Sequence, residues 1–121
     1  MITREFAEDF AAKWVDAFNT RDLDIIFDLY DDGFSMQSPY IQDRMGIISG
    51  VLVGKESIRP YWEKSLAIYP PIQFKLISVY IGVDSVIVHY ENVGRKLVCE
   101  TFTFNIDGKI TSGCSQHGTP L

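Results

Sequence analysis

Val98–His117, VCETFTFNIDGKITSGCSQH, alternates in residue character on both sides of Asp107-Gly108. Asp-Gly favours a two-residue hairpin turn, so the stretch predicts two antiparallel strands, 96–106 and 109–117. Setting Ile106 opposite Lys109 places Glu100 opposite Ser115 and Val98 opposite His117. Side chains alternate across a strand. Val98, Glu100, Phe102, Phe104 and Ile106 therefore share a face with Thr111, Gly113, Ser115 and His117. The opposite face receives Leu97, Cys99, Thr101, Thr103, Ile110, Cys114 and Gln116.

Upstream, residues 72–81 and 84–93 read as two further strands, separated by turns at Gly82–Asp84 and Asn92–Arg95. Alternation puts Ile72, Phe74, Leu76, Ser78 and Tyr80 on one face of the first, and Val86, Val88 and Tyr90 on one face of the second. The N-terminal half is helical. Phe6, Phe10, Trp14 and Phe18 recur every four residues over 4–18, as on an amphipathic helix, and Thr3 is placed to cap it. Asp22 can cap a shorter helix carrying Leu23, Ile26, Phe27 and Tyr30, ended by Asp31-Asp32-Gly33. Phe34–Ser38 reads as a short strand stopped by Pro39. Residues 40–53 suggest a hairpin, with turns near Asp43–Gly46 and at Gly50. A third helix spans 55–69, with Pro60 tolerable if the regular helix begins near Ser57 and places it in the first turn.

Composition bounds the possible functions. The chain has 121 residues, one domain's worth, and is 46% hydrophobic with a 13% aromatic share, so a core is affordable and a lined cavity is plausible. The formal net charge is −5, and the basic residues are scattered rather than gathered on one face as nucleic acid would require. No apolar run approaches the ~20 residues of a membrane span. The first residues, MITREFAED, lack the apolar core of a signal peptide. Cys99 and Cys114 form no disulfide framework and read as free thiols in a reducing, cytoplasmic setting. Neither cysteine nor histidine spacing suits a metal. Gly50–Ser57 (GVLVGKES) approaches a phosphate-binding loop but has three residues between its glycines instead of four. No Ser-His-Asp set is discernible and no cofactor is expected.

The order of elements, with Trp14–Leu23 (WVDAFNTRDL), Leu29–Pro39 (LYDDGFSMQSP), Gly54–Leu66 (GKESIRPYWEKSL) and Phe102–Ile110 (FTFNIDGKI), resembles the SnoaL-like members of the nuclear transport factor 2-like superfamily. The resemblance covers nearly the whole of 1–121. It implies an α+β ketosteroid isomerase-like fold, a cystatin-like roll in which a cone-shaped, curved antiparallel sheet wraps the N-terminal helices around an internal pocket. Such a fold hosts isomerases, cyclases, hydrolases, dehydratases and non-catalytic adaptors, so it does not fix an activity.

The ketosteroid isomerases permit a residue-by-residue comparison. Their oxyanion-donating tyrosine on the first helix matches Trp14 here, and their general base before the first-strand proline matches Ser38. Their second oxyanion donor, a protonated aspartate, matches Glu100. Tyr30 and Trp62 match supporting aromatics. Serine without a partner is no base near pH 7, and an indole N–H donates without trading protons. Steroid isomerisation is therefore not expected.

Glu100 is the most informative residue, a carboxylate between Val98 and Phe102 on an apolar strand face. It must be paired, solvated in a cavity or protonated. Three roles stay open: a structural carboxylate, a polar anchor for a ligand, or an acid/base catalyst. His117 lies diagonal to it, either as a proton-handling partner or as an exposed rim residue. His89 points to the opposite face. Trp14, Tyr30, Met36 and Trp62 are the candidate pocket walls from the helices and first strand. Phe74, Tyr90 and Phe102 are those from the sheet. Ser38 and Ser115 join Glu100 and His117 as candidate polar contacts. The expected function is binding of a small, largely apolar molecule, with proton transfer or hydration through Glu100, or a non-catalytic interaction module, as competing readings. Ile77, Val79, Ile81, Ile87, Leu97 and Ile110 are expected on the outer sheet face, where they would join two copies as a homodimer.

Overall fold

Phe10, Trp14 and Phe18 repeat at helical spacing, and in the computed structural model, which describes residues 1–119, they are buried on one stripe of α1 (Arg4–Thr20). Thr3 caps this helix by accepting a hydrogen bond from the Phe6 N–H. Asp22 caps α2 (Leu23–Phe27) in the same way. That helix is shorter than the sequence suggests. Tyr30 does not extend it but opens β1 (Tyr30–Gln37), where it pairs with Ile110.

Residues 40–53 form no hairpin. Ser38 caps α3 (Pro39–Met45), Pro39 occupies its first turn, and Gly46 ends it with φ +67°, so one Ser-Pro…Gly frame supplies both helix signals. A short β2 (Val51–Val53) follows. Gly54, at φ +87°, turns the chain directly into α4 (Lys55–Leu66). The Ile58 N–H already bonds to the Gly54 carbonyl. The helix thus starts before Ser57, and Pro60 sits in its second turn, where it withdraws one helical hydrogen bond.

The later strands are β3 (Lys75–Ile81), β4 (Ser85–Asn92), β5 (Lys96–Phe104) and β6 (Ile110–His117). They join a curved six-stranded sheet in the order β2-β1-β6-β5-β4-β3. It is not wholly antiparallel, because β1 runs parallel to β6. A bulge at Ile77 shifts β3 by one residue, so that Val79 pairs with Val88 and Tyr80 with Ile87. From there on Val79 and Ile81 turn toward the helices, while Ser78 and Tyr80 turn outward beside His89. The sequence alternation gave the reverse.

The β5–β6 turn also differs in detail. The Gly108 N–H bonds to the Asn105 carbonyl, Gly108 takes φ +79°, and the Asn105 N–H bonds to the Lys109 carbonyl. The connection is therefore a three-residue loop, Ile106 to Gly108. Asn105 locks it by accepting from the Asp107 and Lys109 N–H groups. Ile106 is consequently fully exposed, and Ile110 is fully buried rather than outward. Thr111 is then an extra residue in β6. The pairing recovers at Thr103–Ser112, so Glu100 does face Ser115 and Val98 does face His117.

Ile110 distinguishes the two registers. Ile110→Ala is expected to cost about 2–5 kcal/mol of unfolding free energy, as for a buried isoleucine. Chemical denaturation showing a change within about 0.5 kcal/mol, typical of a surface site, would restore the two-residue turn.

Candidate functional site

The helices lie against the inner face of the sheet but do not fill it. A cavity of about 410 Å³ remains, a volume typical of small-molecule sites. Its inner wall is aromatic. Trp14 lies 5.5 Å from Phe74 and 5.2 Å from Tyr90, ring centre to ring centre. Tyr30 lies 5.1 Å from Trp62. Met36 and Ser38 complete the β1 side.

Glu100 is buried in this wall and is the one carboxylate among the described residues lining the cavity. It accepts hydrogen bonds from the Ser115 hydroxyl and, at 3.4 Å, from the Tyr90 hydroxyl. Both favour the charged form. Burial opposes them and prevails, pushing the carboxyl group up from 4.5 to about 7. Burial likewise raises Tyr30 and Tyr90 well above the usual phenol range, and the nearby Glu100 charge adds to it. At neutral pH the site thus holds the protonated phenols of Tyr30 and Tyr90 beside a carboxyl group able to exist in either form.

Trp14 forms no hydrogen bond with Glu100. Its indole N–H donates to the Tyr30 hydroxyl at 3.0 Å, which orients the phenol and leaves the phenolic proton to be donated elsewhere. The Ser38 hydroxyl oxygen accepts the α3 capping bond from the Tyr40 N–H, which leaves its own proton to be donated on the cavity side, beside Tyr61. His117 forms no bond with Glu100. Its ring rests against Tyr40, 4.3 Å between centres, and burial, followed by the charges of Arg44 and Lys96, lowers its pKa.

The structure therefore brings Trp14, Tyr30, Met36, Ser38 and Trp62 to the cavity from the N-terminal half, and Phe74, Tyr90, Glu100, Ser115 and His117 from the sheet. Phe102 is not on the wall. It lies in the core beneath, against Phe10 and Trp14, because α1 covers that part of β5. Tyr40, Arg44 and Lys96 are lining residues that the sequence reading did not single out. Tyr40 and Arg44 ride on α3, whose Ser-Pro…Gly frame was the missed signal. Tyr61 lines the cavity beside Trp62, one position away on the same helical face.

No group of histidines, cysteines and carboxylates among the described residues is arranged to hold a metal ion. No helix among them is long and apolar enough to cross a membrane.

A family model described as a SnoaL-like domain matches residues 11–113. Among solved structures, the chain is similar to a SnoaL-like protein of unknown function from Burkholderia thailandensis. The two are 39% identical, with a TM-score of 0.92, over 97% of this chain and 98% of that one. It is also similar to Bal32a from a soil-derived mobile gene cassette (21% identity, TM-score 0.75, 95% and 91% covered). A third similar structure is SalBIII, an epoxide hydrolase/cyclase-like enzyme in pyran ring formation in the polyether salinomycin (18% identity, TM-score 0.74, 98% and 95% covered). These last two share the fold. No curated protein matches the chain.

The environment of Glu100 makes stability depend on pH in a defined direction. The folded group binds its proton more tightly than the unfolded one, so the stabilisation is complete below pH 4.5 and is lost as the pH rises to about 7. At about 1.4 kcal/mol per pH unit, the loss is roughly 3 kcal/mol. Urea unfolding of the wild type and Glu100→Gln across that range should show the wild type losing roughly this much relative to the variant, then no more. A difference independent of pH would mean that water reaches the carboxyl group.

Proposed function

The chain belongs to the SnoaL-like family of the nuclear transport factor 2-like superfamily, and on that footing we propose that its cavity binds a small, largely apolar molecule with one polar oxygen. The observation that carries this reading is the pairing of an aromatic cavity of about 410 Å³ with a single buried carboxyl group. The rings supply affinity by removing apolar surface from water, at about 25 cal/mol per Å². Glu100 and the free proton of Tyr30 supply orientation. Bonds to groups already desolvated discriminate strongly, because a mismatched ligand leaves them unpaired.

A second reading, proton transfer or hydration with Glu100 as acid and base, is favoured by its pKa of about 7. A group half-protonated near neutrality can both donate to a carbonyl or leaving oxygen and accept from a carbon acid or water. The fold shared with SalBIII is compatible with such chemistry. His117 has no bond to Glu100, so in this reading its part is support from the cavity wall beside Tyr40. A vestigial pocket in a pure interaction module would be expected to be filled, and this one is open.

Thermal-shift screening against a library of small apolar metabolites tests the binding reading. Stabilisation that disappears when Trp62→Ala opens the wall is the expected result, and a library with no stabilising compound would contradict it. For any compound that is turned over, Glu100→Gln should lower kcat by about 10²–10⁴-fold while the ligand still binds. Turnover unchanged by that substitution would remove Glu100 from the chemistry.

We further propose a homodimer through the outer sheet face. Ile77 and Leu97 are about half exposed there, joined by Tyr80. Ile110 is withdrawn from this patch because it is in the core. Sedimentation equilibrium at tens of micromolar (about the range in which a modest interface assembles) should give twice the mass of one chain, and a monomer would exclude this interface.

A further inference from the structure

The two ends of the cavity carry opposite chemistry. Glu100, Tyr90 and Ser115, all buried, form the inner polar group, whereas the half-buried Arg44, His117 and Tyr40 and the exposed Lys96 line the outer part. Arg44 is held in place there. One of its guanidinium nitrogens donates to the Ser65 hydroxyl at 2.8 Å, and the guanidinium carbon sits 4.2 Å from the centre of the Tyr40 ring. The charges of Arg44 and Lys96 both act on the His117 imidazole, whose Nε2 is sealed from solvent with no hydrogen-bond partner.

Among the described residues these cations have no acidic counterpart at the mouth. The ion pairs among the described residues join the N-terminal amine to Asp84, Arg4 to Glu8, and Lys55 to Asp32, all elsewhere. Asp43 shares a shallow outer hollow with Lys96 but forms no ion pair with it. In a chain of formal net charge −5, two cations beside an apolar cavity with no ion-pair partner among the described residues are a local exception to the overall field.

We propose that the ligand is an organic carboxylate whose charged end sits at the cavity mouth between Arg44 and Lys96 and whose apolar body points inward to the aromatic wall. The proposal rests on the ligand-binding reading and narrows it to amphiphilic acids. The Arg44 fork, pre-set by Ser65 and Tyr40, suits the planar geometry of a carboxylate. Rotation of the His117 ring would give its Nε2 the oxygen partner that it lacks. At the inner end a second carboxylate would meet Glu100, so the polar group there is neutral: a hydroxyl or a carbonyl.

The test uses 2-naphthoate, 3-phenylpropionate and hexanoate, each beside its neutral amide, titrated calorimetrically into the wild type, Arg44→Lys, and the double variant Arg44→Gln/Lys96→Gln. At least one acid is expected to bind about tenfold more tightly than its amide, the scale of one well-placed charge-assisted contact. The double variant should lose that preference while keeping the amide affinity, and Arg44→Lys should lose part of it, because an ammonium keeps the charge but not the fork. Amides that bind the wild type as well as the acids, or a preference that survives in the double variant, would overturn the carboxylate site and leave the pocket reading intact. If neither acids nor amides bind, both readings fall together.

Discussion

A carboxyl group enclosed by apolar side chains must find hydrogen bonds or give up its charge, and in this protein Glu100 does some of each. Ser115 and Tyr90 donate to it from the neighbouring strands. Charge-assisted bonds of this kind contribute about 1.5–3 kcal/mol apiece, yet burial still holds the group near pH 7 rather than near 4.5. The inner half of the cavity is arranged around that balance. The aromatic rings that exclude water raise the pKa, the tyrosines stay protonated beside a potential negative charge, and Trp14 fixes Tyr30 without competing for the carboxyl group.

The strand register places Glu100 there, and it does so through two irregularities that cancel. The β5–β6 loop is one residue longer than an Asp-Gly two-residue turn, which by itself would displace the pairing of every later residue. Thr111 takes up the extra residue as a bulge, with its hydroxyl and that of Ser112 bonded to Thr103 on the outer face. Beyond the bulge the inward set is restored. Only Ile106, Ile110 and Thr111, which lie between the loop and the bulge, change sides.

That cancellation explains what could and could not be read from the chain. The helical stripe of Phe10, Trp14 and Phe18, and the caps at Thr3 and Asp22, were legible because each depends on a few neighbouring residues. So was the inward placement of Glu100, although the turn that justified it has a different form. The bulge at Ile77 was not legible, since alternation alone carries no mark of a skipped residue. Nor was α3, a seven-residue helix with a single buried residue, Ile41, which leaves too little hydrophobic periodicity to detect. Missing α3 hid Tyr40 and Arg44, and with them the polar mouth of the cavity. Phe102 was misjudged because facing inward and facing the cavity are different conditions, and α1 decides between them.

The account turns on the ionisation of one side chain, and carbon-13 NMR observes it directly. In protein labelled at the glutamate carboxyl carbons, with Glu100→Gln identifying the resonance, the Glu100 signal should titrate with a midpoint near pH 7 in the ligand-free protein. A Glu100 midpoint at or below 4.5 would mean that the carboxyl group is charged and solvated throughout, contradicting both the closed aromatic wall and the register that places the residue behind it.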